Sequence, residues 1–104
     1  MSIYIQLRTM NYIFEWDVSK EVENVTKHGY SFEEVKEVFA DPHVIHLEDP
    51  QHSTEEERYY AVGKTTKEVI LTVRYTWREN VIRIFGAAEW RKWRKFYEKN
   101  TKSK

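Results

Sequence analysis

Cysteine is absent from this sequence, and glycine and proline are scarce, with three and two residues. The chain therefore has no disulfide framework and no thiolate metal site. Repeats, low-complexity tracts and linkers are also missing. No apolar run approaches the ~20 residues of a membrane helix, and the N-terminus lacks the basic-then-apolar layout of a signal peptide. We therefore expect a cytoplasmic protein with no membrane contact, folded as one domain over residues 1–104.

The chain also lacks a net charge, since 17 basic residues balance 17 acidic ones. This balance argues against a stand-alone nucleic-acid-binding domain. The charges are unevenly spread, because residues 88–104 contain seven basic and two acidic residues. Such a basic segment suits RNA or an acidic partner, but it is equally typical of a solvated terminal helix.

Aromatic residues are abundant, at 15% of the chain, and must supply much of the buried area. Two helices are predicted in the N-terminal half, after a short strand at residues 12–16. Asp17 is a suitable N-cap for the first helix, in which three valines repeat at helical spacing, and Gly29 ends it. A capping box opens the second helix at Ser31, and Pro42 ends it.

Strands and one last helix are predicted in the C-terminal half. Alternating and β-branched residues place strands at residues 43–48, 58–62, 69–77 and 81–85, followed by a helix at 89–100. The order β-α-α-β-β-β-β-α is typical of an α+β fold with a mostly antiparallel sheet of four to five strands. Residues 101–104 are expected to fray. An alternative start at Met10 would make the preceding residues an N-terminal extension, and the sequence leaves this open.

The segment from His52 to Arg58 is the most informative part of the chain. It holds an imidazole, a hydroxyl, three carboxylates and a guanidinium within seven residues. Histidine moves protons near neutral pH, a carboxylate acts as a base or orients the histidine, and an arginine fork fits a phosphate. The set therefore suits phosphate-ester chemistry. The alternative is a solvated polar loop in which His52 and Ser53 only cap a turn.

Several short strings of the sequence together resemble the BrnT family, the toxin half of bacterial BrnT–BrnA toxin–antitoxin pairs. The resemblance runs from about Asn11 to Glu98. The strings are Phe14-Glu15-Trp16-Asp17, Lys20, Asn24, Lys27-His28-Gly29, Ser31-Phe32-Glu33-Glu34, Val38-Phe39-Ala40-Asp41-Pro42, His52-Ser53 with Glu56 and Arg58, Gly63, and Arg83-Ile84.

This resemblance implies a RelE-like fold and a metal-independent endoribonuclease without cofactors that blocks translation. It also implies a BrnA-like antitoxin with a ribbon-helix-helix portion, so that the toxin would meet operator DNA only through the antitoxin complex. The catalytic residues that we predict on this basis are His52, Glu56, Arg58 and Arg83. The predicted RNA-binding residues are Lys20, Lys27, His28, Tyr60 and Arg91.

Several of these residues have structural alternatives. Arg58 and Arg83 are also placed to form ordinary ion pairs with Asp49, Glu56 or Glu57. Lys27-His28-Gly29 suits a helix C-terminus, where positive charge and a left-handed glycine are both favoured. Trp90 and Trp93, spaced i, i+3, suit a core better than a base-stacking platform. The histidines do not form a pattern that supports a metal site.

The chain departs from the family at Gly86-Ala87-Ala88, where the family usually has Ser-Ala-Arg. The basic group expected at position 88 is therefore missing, and Arg91 is a candidate to replace it from one turn further on. The alternative function is a catalytically weakened binding module that keeps antitoxin pairing and control of its operon.

Overall fold

The structure, a computed structural model, describes residues 12–101. The expected N-terminal extension and residues 102–104 of the expected frayed tail lie outside the described residues. The strands are β1 (Ile13–Trp16), β2 (Ile45–Glu48), β3 (Tyr59–Lys64), β4 (Ile70–Arg78) and β5 (Val81–Ala88). The α-helices are α1 (Val18–His28), α2 (Phe32–Val35) and α3 (Arg91–Thr101), with 3₁₀ segments at Lys36–Ala40 and Pro50–His52. The predicted order and the α+β class are confirmed.

The five strands form one sheet in the order β1-β5-β4-β3-β2. Strands β2 to β5 pair antiparallel with their neighbours along the chain. The first strand pairs in parallel with the last, from Ile13 opposite Val81 to Trp16 opposite Ile84. The sheet is therefore mostly antiparallel, as predicted, and its one parallel pair joins the first strand to the last.

The predicted caps of the N-terminal helices are confirmed. The Asp17 side chain accepts a hydrogen bond from the Ser19 N–H at 2.8 Å, and Gly29 adopts a left-handed φ of 84°. The Ser31 hydroxyl accepts one from the Glu34 N–H at 3.3 Å. The second helix differs from the prediction, since its α-helical part is only four residues long and continues as a 3₁₀ segment. A 3₁₀ helix aligns residues three apart, which suits the burial of both Val35 and Val38.

Polar side chains attach α1 to the rest of the molecule. β1 ends at its pair with Ile84, and beyond that point the Asn24 Oδ1 accepts a hydrogen bond from the Ala87 N–H at 2.9 Å. The Asn24 amide donates to the Tyr30 carbonyl at 3.0 Å. Glu21 accepts from the Phe32 N–H at 2.8 Å, at the first turn of α2. Asn24 thus continues the edge of the sheet where no strand of residues 12–101 covers β5.

The valine stripe of α1 points away from the core. Val18, Val22 and Val25 remain 69%, 59% and 45% exposed, so their helical spacing predicted the helix correctly but does not mark a buried face. The inward positions are taken by Glu21 and Asn24 instead.

The main core lies on one face of the sheet, under α2 and the 3₁₀ segment that follows it. Its members are buried and apolar, among them Phe32, Val35, Val38, Leu71, Val73, Ile82 and Ile84. A smaller cluster on the other face joins Val62 and Ile70 to Tyr97 of α3. None of the helices in residues 12–101 has the length and apolar character needed to span a bilayer.

One carboxylate fixes the position of α3. The Asp41 Oδ2 accepts hydrogen bonds from the Tyr97 hydroxyl at 2.6 Å and from the Lys64 N–H at 2.7 Å. The adjacent Gly63 must lack a side chain, because a Cβ atom there would come within 3.0 Å of the Val38 carbonyl oxygen. The last helix is thereby tied to β3 and to the end of the second helical segment.

We expect Asn24→Ala to destabilise the fold by about 2–4 kcal/mol, because it leaves the Ala87 N–H and the Tyr30 carbonyl without partners. The free energy of unfolding in urea measures the effect. Asn100→Ala is the matched control, since Asn100 is exposed and donates only to the Phe96 carbonyl; it should cost less than about 0.5 kcal/mol. Equal losses for the two variants would contradict a special role for Asn24.

Candidate functional site

Arginine side chains gather on the sheet face that also carries α3, and we call this set the arginine face: Arg58, Arg74, Arg78 and Arg83. Arg74 and Arg78 are four residues apart on β4 and so share a face. Arg83 pairs with Thr76, midway between them. Arg58 lies two residues before the β3 residue that pairs with Arg74. The predicted pair Arg58 and Arg83 therefore does lie on one face, together with two arginines that the sequence analysis missed.

The helix α3 covers the other part of this face, and its start reaches Tyr60, which pairs with Arg74. Its Tyr97 packs against Val62 and against Ile70 at the start of β4, whereas the arginines follow the second half of that strand. All four arginine residues are exposed or half-buried. The arginine face is therefore accessible to a large ligand.

A bulge in β5 shapes the middle of the arginine face. Tyr75 pairs with Ile84 but Arg74 pairs with Gly86, which leaves Phe85 as an extra residue. The Arg58 guanidinium stacks on the Phe85 ring at 4.0 Å from its centroid. A Cβ atom at position 86 would lie 2.8 Å from the Arg74 Nη2, so the glycine leaves space for that guanidinium.

Glu56 lies among three of the arginines. Its carboxylate accepts hydrogen bonds from Arg78 at 3.2 and 3.3 Å and lies 3.6 Å from the Arg58 Nη2. The hydrogen bond from Arg78 lowers the pKa of Glu56, burial opposes this effect, and the charges of Arg78, Arg58 and Arg83 lower the pKa further. One of the ion pairs anticipated from the sequence, Arg58 with Glu56, is therefore present.

Arg83 has a different partner from those anticipated. Its Nη1 lies 3.1 Å from the Glu15 carboxylate, which sits directly opposite it in the β1–β5 register. The sequence could not indicate this pair, because it depends on the parallel pairing of the first and last strands.

His52 is held by a buried carboxylate. Its Nδ1 lies 2.8 Å from the Asp49 Oδ2, and the Asp49 side chain is only 6% exposed whereas that of His52 is 54% exposed. The imidazole is thus fixed at one nitrogen, and its Nε2 remains available to a ligand. The geometry matches that of a histidine oriented for proton transfer.

The loop from Asp49 to Arg58 is ordered by Ser53. The Ser53 hydroxyl donates to the Asp49 carbonyl at 2.7 Å and accepts from the Arg58 N–H at 2.9 Å. The Asp49 N–H donates to the Arg58 carbonyl at 2.8 Å. Both interpretations of this segment, a polar turn and a candidate site, therefore hold. Ser53 closes the turn, and the same turn positions His52 and Arg58.

Tyr60 connects the histidine end of the site to Arg74. Burial raises the pKa of the Tyr60 hydroxyl, the negative charge of Asp49 raises it further, and the charge of Arg74 opposes both. The rings of Trp90 and Trp93 each lie 5.8 Å from the Tyr60 ring. Both tryptophans are half-buried at the start of the last helix, so they support Tyr60 instead of forming a separate platform.

The remaining predicted RNA-binding residues lie elsewhere on the surface. Lys20, Lys27 and His28 are exposed on α1, and Arg91 is exposed at the first position of α3. No hydrogen bond or ion pair links their side chains to the site within residues 12–101. Their contact with RNA stays a prediction.

Three residues of the site were missed in the sequence, and each carried a signal. Arg74 and Arg78 are four residues apart on the strongest predicted strand, so alternation places them on one face, although only the strand register puts that face beside Arg58. Asp49 stands three residues before His52 around Pro50, a spacing that one helical turn closes. Among residues 12–101, no three histidine, aspartate or glutamate side chains are grouped so as to hold a metal ion.

Comparison with known proteins finds a similar family and a similar solved structure. The model of a family described as "Ribonuclease toxin, BrnT, of type II toxin-antitoxin system" matches residues 16–94. The crystal structure of the Brucella abortus ribonuclease toxin BrnT is similar in fold, with a TM-score of 0.56 and 18% identity over 77% of this chain and 97% of that one. A search of curated proteins found no match. The family model spans most of the chain, including the Asp49–Arg58 loop and the arginine face, and the chain therefore belongs to the BrnT family of ribonuclease toxins of type II toxin–antitoxin systems.

Proposed function

We propose that the chain cleaves RNA at the arginine face by a metal-independent, RelE-like mechanism, with His52 as the proton carrier. The observation that carries this proposal is the placement of four arginines on an accessible sheet face beside a histidine fixed by a buried aspartate. In the proposed reaction the ribose 2′-OH attacks the adjacent phosphate. The protein then has to accept a proton, return one to the leaving oxygen and stabilise the charge that develops on phosphorus.

The arginines supply the electrostatic part of this chemistry. Arg58 stacks on the Phe85 ring, and its side chain is 37% exposed with its Nη2 3.6 Å from Glu56, beyond hydrogen-bond distance, so its terminal nitrogens keep donors for a ligand. Arg74 has no carboxylate within ion-pair distance in residues 12–101. Both guanidiniums thus have donors left for a phosphate, and each positioned donor is worth about 3–4 kcal/mol of transition-state stabilisation by analogy with oxyanion holes.

Glu56 fits the role of an internal anion better than that of a proton carrier. Its lowered pKa keeps it ionised at neutral pH, so it cannot act there as a general acid. It also occupies the space between Arg58 and Arg78 in which a phosphate would bind. We propose that RNA displaces this carboxylate, which leaves the proton transfers to His52.

The biological role follows from the family. We propose that a BrnA-like antitoxin with a ribbon-helix-helix portion neutralises the chain, that the free toxin inhibits translation in the cytoplasm, and that the pair binds operator DNA through the antitoxin.

The second candidate is the binding module that has lost cleavage, and the site of Ala88 favours it. Ala88 is 4% exposed and pairs with Thr72, so the position at which the family carries a basic group is apolar and covered in this chain. Purified protein mixed with RNA and EDTA distinguishes the two candidates. Intact RNA after prolonged incubation would exclude the ribonuclease proposal and leave the binding module.

Arg58→Ala and Arg83→Ala are each expected to slow RNA cleavage at least ~10-fold, because each removes a cation that faces the developing charge. Single-turnover cleavage of a defined RNA measures the rate, and circular dichroism checks the fold. Lys67→Ala is the control, since Lys67 is exposed in the β3–β4 turn, outside the site. A rate equal to that of the wild type would remove the substituted arginine from the site.

His52→Gln is expected to lower the cleavage rate by at least ~100-fold, the usual contribution of a general acid–base group. Asp49→Asn should lower kcat more than it changes KM, because it loosens the orientation of the imidazole without touching the arginines. His43→Gln, at an exposed histidine outside the site, serves as the matched control. If His52→Gln cleaves as fast as the control, the proton carrier is another group.

The Glu56 carboxyl is expected to titrate below its ordinary pKa of 4.5 because of Arg78. Any stability that this ionised carboxylate contributes is therefore present above pH 4.5 and is lost as the pH falls through the lowered pKa. Carbon-detected NMR titration of the Glu56 carboxyl measures it. Arg78→Gln should raise the Glu56 midpoint, with Lys67→Ala as the control that leaves it in place; a midpoint unchanged by Arg78→Gln would contradict the ion pair.

A further inference from the structure

A second concave site lies on the sheet face opposite the arginines, and we call it the aromatic pocket. It encloses about 380 Å³, a volume typical of a small-ligand site. The residues that line it are Tyr12, Phe39, His46, Leu47, Glu48, Tyr59, Tyr75 and Trp77. The proposed RNA cleavage uses none of them.

The rings of this pocket are arranged as a cage that remains partly unfilled. Tyr12 and Trp77 meet edge to face with their centroids 5.9 Å apart, and they remain 37% and 41% exposed. Tyr59 stacks on Tyr75 at 5.5 Å at the opposite wall. Exposed aromatic faces around a cavity are the standard surroundings of a bound cation.

The charges around the aromatic pocket are negative. Glu48 lines it, and the Tyr59 hydroxyl donates to the Glu57 carboxylate at 2.6 Å, which holds a second acidic group at the rim. That hydrogen bond raises the pKa of Tyr59, as do the negative charges of Glu57 and Glu48. Burial lowers the pKa of His46, so the imidazole is neutral at pH 7 and does not offset the carboxylates. Among residues 12–101, no lysine or arginine lines the pocket.

The adjacent strand edge is suited to a polypeptide. His46, Leu47 and Glu48 belong to β2, which is the last strand of the sheet. Within residues 12–101 β2 pairs only with β3, so its outer edge offers free backbone groups to an extended segment. Side chains of such a segment would alternate across the sheet, and every second one would lie over the face that holds the pocket.

We propose that the aromatic pocket receives an arginine or lysine side chain of a protein partner that pairs with the edge of β2. The partner rests on the proposed function, since the antitoxin is the protein that the chain is expected to bind. A nucleotide fits less well, because Glu48 and Glu57 repel a phosphate. This arrangement leaves the arginine face to RNA and gives the partner the opposite face.

A pair of small probes tests the pocket without any antitoxin. N-acetyl-arginine amide is titrated into the full chain and compared with N-acetyl-citrulline amide, its neutral isostere, while the Trp77 indole N–H signal is followed by NMR. We expect the arginine amide to bind with at least five-fold higher apparent affinity than the citrulline amide, as measured from this signal. Glu48→Gln should abolish the difference. Equal response to both probes, response to neither, or tighter binding of adenosine monophosphate would overturn the proposal.

A charge reversal tests the partner. Glu48→Lys should weaken the complex with a BrnA-like antitoxin at least ten-fold, while RNA cleavage by the free toxin stays unchanged. Glu68→Lys is the matched control, because Glu68 is exposed at the far end of β4 from Trp77, and it should leave the affinity within two-fold. Equal affinities for both variants would refute the proposal. If the wild type binds no antitoxin, the antitoxin part of the proposed function is wrong. The arginine and citrulline probes then still decide whether the pocket binds a cation.

Discussion

The pairing of β4 with β5, including its bulge, is the constraint on which the rest of the structure depends. These two strands are the centre of the sheet and carry three of the four arginines. The extra residue Phe85 lets the ladder keep both Ile84 and Ala87 on the buried face, although three positions separate them. The same residue supplies the ring on which Arg58 stacks. A regular ladder would have lost either part of the core or the support of that guanidinium.

The sheet divides opposite kinds of chemistry between its two faces. One face seals an apolar core under α2 and ends in an acidic aromatic pocket, whereas the other carries arginines and is only half covered by α3. This division shows how a chain with no net charge can gather four arginines on one surface, although Glu15 and Glu56 offset part of their charge. The zero net charge argued against a stand-alone nucleic-acid-binding domain, but it could not reveal that these arginines cluster on one face.

Much of the fold was predictable from the sequence, because local chemistry determines it. Asp17, Gly29 and Ser31 cap helices as their side chains dictate, and alternation separates Tyr60 from Tyr59 on opposite faces of β3. The features that the sequence did not indicate depend on contacts between distant segments. The valine stripe of α1 is exposed because Asn24 finds the free Ala87 N–H, and Arg83 meets Glu15 only because β1 returns to pair with β5. The candidate site was predicted in part for the same reason: His52 and Arg58 belong to one local loop, whereas Arg74 joins them through strand register.

The position of Glu56 shows how carboxylates of the same chain can stabilise a cluster of arginines. Clustered guanidiniums repel one another, and a folded chain that gathers them needs a counterion. Glu56 and Glu15 provide it for Arg78, Arg58 and Arg83. Because these carboxylates are themselves partly exposed, the ion pairs are weak enough to be exchanged for a phosphate that brings its own charge. Arg74 has no such counterion among the described residues. It pairs across the sheet with Tyr60, and the charges of Arg74 and Asp49 both act on the pKa of the Tyr60 hydroxyl. In the proposed function, this balance of charge both stabilises the arginine face and lets a polyanion displace the carboxylates.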